Sequence, residues 1–171
     1  MKSVIRFLTG MALCASLLIA AAGCSGYWYR SPEYVVVDRS ALNYVQIFYQ
    51  ASETAPRVRC LMRDGNIILL VGHSVTVGDD FNIDYRKRAF GDIKEHTLSL
   101  GPDSFRDTLQ TLVNAGILRY SRPDSDAPVY PKVLVKCNIN HCVRDQFVYD
   151  ETLIAEIEAQ LTRYRLAGQQ L

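Results

Sequence analysis

A chain of 171 residues with 19 Lys and Arg against 18 Asp and Glu has a formal net charge of +1, which leaves no global field of the kind that recruits nucleic acid. With 49% of its residues hydrophobic, it can build one ordinary domain with a real core, and no fixed-period repeat or low-complexity tract points to a solenoid or a disordered chain. No phosphate-binding loop, dinucleotide fingerprint or serine elbow occurs, which lowers the weight of the common enzyme classes.

The first element reads as an export signal. Lys2 and Arg6 give a short positive start, residues 7–22 are apolar or small, and no acidic residue comes before Glu33. That apolar stretch is short for a membrane span of about 20 residues, and charge followed by apolarity is the order of a removable secretory leader. It ends in Ala21-Ala22-Gly23-Cys24, which resembles the lipobox of bacterial lipoproteins, with Ala21 where leucine is commoner. The resemblance implies a leader of residues 1–23, cleavage before Cys24 and a diacylglycerol on the Cys24 thiol. Two alternatives stay open: ordinary cleavage at Ala20-Ala21-Ala22, giving a soluble periplasmic protein, and a short uncleaved anchor. Ser25 occupies the position where that family commonly places aspartate for inner-membrane retention. The resemblance therefore implies a lipid-anchored envelope location, at the outer membrane and facing the periplasm, in a Gram-negative host. Without Lys2 and Arg6, the rest of the chain has 17 Lys and Arg against 18 Asp and Glu.

Residues 24–43 are expected to be the anchored tether and lead-in. Tyr27, Trp28, Tyr29 and Tyr34 suit either the headgroup layer, where aromatic rings often lie, or an edge of the domain that they cover. Residues 44–171 are expected to form a single domain.

Val45, Ile47 and Tyr49 alternate with Gln46 and Gln50, as in a half-buried strand. The hairpin that follows is the clearest feature. Arg57–Arg63 and Asn66–Val71 flank Asp64-Gly65, a two-residue turn whose positive φ angles match strand twist. This register sets Met62 opposite Ile67, Cys60 opposite Leu69 and Val58 opposite Val71, an unbroken apolar face. Phe81, Ile83 and Tyr85 suggest another strand, and residues 94–100 one more. Gly101-Pro102-Asp103 opens a helix with proline at its first position and an acid near its positive end. Phe105, Leu109, Leu112 and Val113 keep helical spacing, and Gly116 closes the helix. After a polar loop at 121–127, Val133, Val135 and Cys137 form one strand face, and Val143, Phe147 and Tyr149 another. Asp150 caps a last helix through Ile154, Ile157, Leu161 and Tyr164, ended by Gly168. The fold class expected is α+β: an antiparallel sheet of about five to six strands with two helices packed on one face.

Without Cys14 and Cys24, three thiols remain, and an oxidising compartment favours a disulfide between two of them. Cys137 and Cys142 bracket residues 138–141 as if across a four-residue loop. That pairing sets Val135 opposite Arg144, whereas the alternation of Val143, Phe147 and Tyr149 asks for Val135 on their side, so the bridge needs a bulge. The alternative joins Cys60 to Cys137, both core-facing. Zinc on Cys60, Cys137, His141 and Cys142 lacks a recognised spacing, and no metal or cofactor is expected. Histidine activation of Cys142 is weakened because sequence neighbours on a strand point to opposite faces. His73 and His96 read as surface residues, Asp79, Asp80 and Asp84 as turn and strand polar groups, and Arg86-Lys87-Arg88 as a solvated loop.

If Val58, Cys60 and Met62 face the helices, then Arg57, Arg59, Leu61 and Arg63 face away, joined by Lys132, Lys136 and Arg144, with Ile68 and Leu70 interspersed. The plain reading is a solvated sheet face. The functional reading is a cationic stripe for an acidic envelope partner, such as a peptidoglycan carboxylate, a lipid phosphate or another protein. The order of strands and helices is also loosely similar to that of emfourin-type protease inhibitors; this likeness of topology implies an inhibitor-like module and carries over no residue. The expected role is thus a non-enzymatic, membrane-anchored envelope binding module. A protease-inhibitor-like module is one alternative, and a thiol-dependent or hydrolytic enzyme using Cys137, His141 and Cys142 is the other.

Overall fold

Alternating apolar positions produce a six-stranded antiparallel sheet in a computed structural model that describes residues 35–39, 41–76, 91–121 and 130–168. The leader, Cys24, the aromatic run to Tyr34, the strand expected at Phe81–Tyr85, its flanking acids and the 86–88 basic run lie outside the described residues. The strands are β1 (Tyr44–Gln50), β2 (Arg57–Arg63), β3 (Asn66–Gly72), β4 (Lys94–Ser99), β5 (Lys132–Ile139) and β6 (Cys142–Phe147). The helices are α1 (Pro102–Asn114) and α2 (Glu151–Ala167). The sheet order is β4-β3-β2-β1-β5-β6, so β4 and β6 are the edges among the described residues.

The β2–β3 hairpin has the register expected of it. Met62 pairs with Ile67, Cys60 with Leu69 and Val58 with Val71, across a turn with Asp64 at φ 52° and Gly65 at φ 78°. Val45, Ile47, Cys60, Met62, Ile67, Leu69, Val133, Val135 and Cys137 share one buried face. Both helices pack on it. Tyr49 on that face donates its hydroxyl to Glu158 of α2 at 2.5 Å, and Gly168 at the end of α2 lies against His96 of β4. His96 is therefore half-buried under a helix end, not a surface residue.

The helix signals act as local chemistry requires. Ile117 N–H bonds to the Leu112 carbonyl and Gly116 N–H to that of Val113, the two bonds of a Schellman cap, with Gly116 at φ 101°. The Asp150 carboxylate accepts from Leu153 N–H at 2.9 Å and caps α2. Buried Gln160 breaks the apolar face of α2; it accepts from Tyr164 Oη at 2.8 Å and donates to Glu156 at 3.0 Å, so its amide stays paired.

Val36–Leu171 form one compact unit. It begins eight residues ahead of the boundary read from the sequence, because Val37 and Asn43 of the expected lead-in are buried in it.

Candidate binding surface

The second sheet face, turned away from the helices, is the expected binding surface. The register places Arg57, Arg59, Leu61 and Arg63 of β2, Ile68 and Leu70 of β3, and Lys132 and Lys136 of β5 on it. Arg144 is not among them. It stands opposite Cys137 on the helix-side face, where its Nε donates to the Leu118 carbonyl at 2.8 Å and its Nη1 to that of Val143 at 2.9 Å.

The cause is the β5–β6 turn. It is a two-residue turn of Asn140 and His141, with φ angles of 51° and 65°, not a four-residue loop, and it pairs Ile139 with Cys142. Val143 and Phe147 consequently fall on the second face, 57% and 49% exposed, while Arg144 and Gln146 turn inward. The inward polar groups meet leftover backbone: Gln146 Nε2 donates to the Arg119 carbonyl at 2.6 Å and its Oε1 accepts from Ser121 N–H at 3.2 Å. Apolar alternation points the wrong way on this edge strand because the chain following α1 supplies polar partners beneath it. Tyr149, expected on the same strand, lies beyond its end.

Nor is the second face an open cationic stripe. Arg59 is only 1% exposed; with its amide oxygen turned toward the guanidinium, Gln46 accepts from Arg59 Nε at 2.9 Å and from Nη2. Leu70 is buried with Val75 and Ile93 in a small second core. The chain leaving β3 folds back over this part of the face. Arg57 Nη1 donates to the Val75 carbonyl at 3.2 Å, Ser74 N–H donates to Asp92 at 2.9 Å, and hydrogen bonding from the Ser74 side chain, then from its backbone, holds the Asp92 carboxyl below its ordinary range. Of the remaining cations, Arg63 pairs with Asp64 at 3.1 Å, Lys136 lies 3.7 Å from Asp145, and Lys132 stands 5.0 Å over the Tyr130 ring. The accessible part of the face is thus mixed: Leu61, Ile68, Leu134, Val143 and Phe147 among paired charges. Val143 and Phe147 lack any sequence signal for this role, because their spacing reads as core.

The three thiols are free. Cys60 and Cys137 lie on strands separated by β1, two spacings or about 9–10 Å apart, beyond the roughly 4.4–6.8 Å between Cα atoms that a disulfide spans. The fold excludes that bridge. Cys137 and Cys142 share the helix-side face as diagonal neighbours, a relation of roughly 7–8 Å between adjacent strands. Burial, and then the neighbouring Cys142, push the Cys137 thiol up to about 12, and burial raises Cys60 as well. Both stay protonated near neutrality, the wrong state for a nucleophile. His141 sits exposed on the turn. Among the described residues, no three His, Cys, Asp or Glu side chains gather as a metal site, and no helix is long and apolar enough to cross a membrane.

A cleft of about 290 Å³ opens at the end of the sheet where β1 begins. The lead-in (Val37, Arg39, Leu42), the Asp64-Gly65 turn and the start of α1 (Pro102, Phe105, Arg106) line it. Arg39 pairs with Asp103, and Arg106 with Asp107 at 2.7 Å. The lead-in is pinned beside it: Val37 N–H donates to Gln110 Oε1 at 2.9 Å, Asp38 N–H to Asn140 Oδ1 at 2.8 Å, and Asn140 Nδ2 to the Val36 carbonyl at 2.6 Å. No protein-family model matches the chain, and no curated protein sequence matches it.

Proposed function

We propose that this chain is an exported lipoprotein precursor whose mature form is held to the cell envelope by acyl chains on Cys24 and carries a non-enzymatic binding module. The observation that carries this reading is the order of residues at the start: Lys2 and Arg6, an apolar run, and Ala21-Ala22-Gly23-Cys24 where that run stops. The boundary of the compact unit at Val36 is compatible with it, since Cys24 stands twelve positions upstream in the sequence. Acyl chains contribute about 0.8 kcal/mol per buried CH2, so several of them hold a protein on a bilayer without help from side chains. The exposed part of the second face, with Leu61, Ile68, Val143 and Phe147 beside Arg63 and Lys132, is the surface offered to an envelope protein or a wall component. The test is fractionation after metabolic labelling with a palmitate analogue. The native chain is expected to label and stay with membranes, and a Cys24→Ala form to lose both properties. An unlabelled native chain, or a Cys24→Ala form that fractionates unchanged, overturns the reading.

A further inference from the structure

The end of the sheet where β1 begins bears two nearly bare aliphatic side chains. Val36 is 77% exposed and Leu42 78% exposed, on a segment that is otherwise tightly held. The Val36 carbonyl is bonded to Asn140, Val37 is buried, and Asn43 donates to the Asp38 carbonyl at 2.7 Å. The held backbone keeps both side chains in water in the isolated domain, and a contact that buried them would gain free energy in proportion to the apolar surface removed from water.

We propose that this end of the domain rests on the lipid bilayer, with Val36 and Leu42 inserted at the headgroup–acyl boundary. The inference rests on the lipid-anchor reading above, because chain connectivity selects the occupant. Twelve residue steps separate Cys24 from Val36, and a polypeptide spans at most about 3.6 Å per residue, so the acylated residue is never more than about 43 Å from Val36. Tethering at that distance turns docking into an intramolecular event with a high effective concentration of surface. Charge at this end fits a zwitterionic surface. Arg39 is paired with Asp103, Arg63 with Asp64, and Arg106 with Asp107, so no excess of cations demands anionic lipid, and apolar insertion withstands salt.

The test uses the mature acylated protein in phosphatidylcholine vesicles, in a Trp28→Phe background with Leu42→Trp as the reporter and Glu53→Trp, in the loop at the opposite end of β1, as the control. Circular dichroism checks that both variants keep the native fold. Lipids brominated high on their acyl chains are expected to quench the reporter indole and leave the control indole unchanged, with the reporter's emission shifted to the blue and its quenching unaffected by high salt. An acylated, vesicle-bound protein whose reporter emits as in water overturns the docking while the anchor stands. A blue-shifted reporter that bromine does not quench also overturns it, since a second copy or another protein then covers this end. A protein that neither carries acyl mass nor floats with vesicles overturns both readings.

Discussion

Asn43 and Asn140 hold each other and the entering chain in one hydrogen-bonded unit. Asn140 N–H donates to Asn43 Oδ1 at 2.8 Å, and Asn140 spends both ends of its own amide on Val36 and Asp38. Asn140 also occupies the left-handed region at φ 51°, which asparagine tolerates better than other side-chain-bearing residues. Two demands therefore converge on one position. Asn140→Ala is expected to cost about 1–3 kcal/mol and Asn140→Gly less, because glycine keeps the turn and loses only the bonds. Denaturant titration reads the ordering, and hydrogen exchange should show the amides of Val37 and Asp38 opening faster in both variants.

Arg59 and Arg63 lie on the same side of β2, yet they should behave oppositely. Arg59 is enclosed, and truncating it removes packing and strips a donor from Gln46, so Arg59→Ala is expected to destabilise by about 2–4 kcal/mol. Arg63 is exposed and pairs with the equally exposed Asp64, so Arg63→Ala should stay within about 0.5 kcal/mol of the native chain. Equal midpoint shifts in urea for the two variants would contradict the burial of Arg59.

The buried thiols set an alkaline limit. Cys137 has its ordinary value of 9.0 when unfolded and about 12 when folded. The unfolded chain thus releases this proton first, and the associated stability is complete below pH 9, then declines as pH rises toward 12. Cys60 is shifted in the same direction, and Tyr164, pushed up to about 12 chiefly by burial, adds to the decline. Stability measured from about pH 8 to about pH 11 should fall, and a Cys60→Ala, Cys137→Ala form should fall less steeply. Alkylation of the native protein followed by peptide mapping should find Cys142 modified, with Cys60 and Cys137 reacting only after unfolding.

Gly72 closes β3 where a side chain has no room: a Cβ there would lie 2.8 Å from the Asp92 carbonyl oxygen. Gly72→Ala is expected to cost about 1–3 kcal/mol by forcing the backbone at Asp92 and Ile93 outward, read as a lowered thermal midpoint and as weakened protection of the Ser74 amide that bonds to Asp92.

Elements governed by neighbours in sequence were legible from the residues alone. The Asp64-Gly65 turn, the Asp150 cap and the Gly116 cap each act through bonds spanning a few positions, and the structure has all three. What was not legible depends on distant chain. Arg144 and Gln146 turn inward with the register of the Asn140-His141 turn, where carbonyls at 118 and 119 accept from them, and Val143 and Phe147 face outward by the same register. Arg59 and Leu70 alternate correctly, yet both are buried on a face that alternation marks as open, and for Leu70 the cover is Val75 and Ile93, from the segments that follow β3 and precede β4. Of the residues expected on the cationic surface, Arg59 and Leu70 are buried on that side of the sheet and Arg144 lies on the other side, while Arg63 and Lys132 are exposed on it.

The intact mass of the protein extracted from membranes decides whether Cys24 carries lipid. The expected product is a mature chain that starts at Cys24 and carries the added mass of a diacylglycerol on that residue. A chain that begins elsewhere, or one that begins at Cys24 with an unmodified thiol, contradicts it.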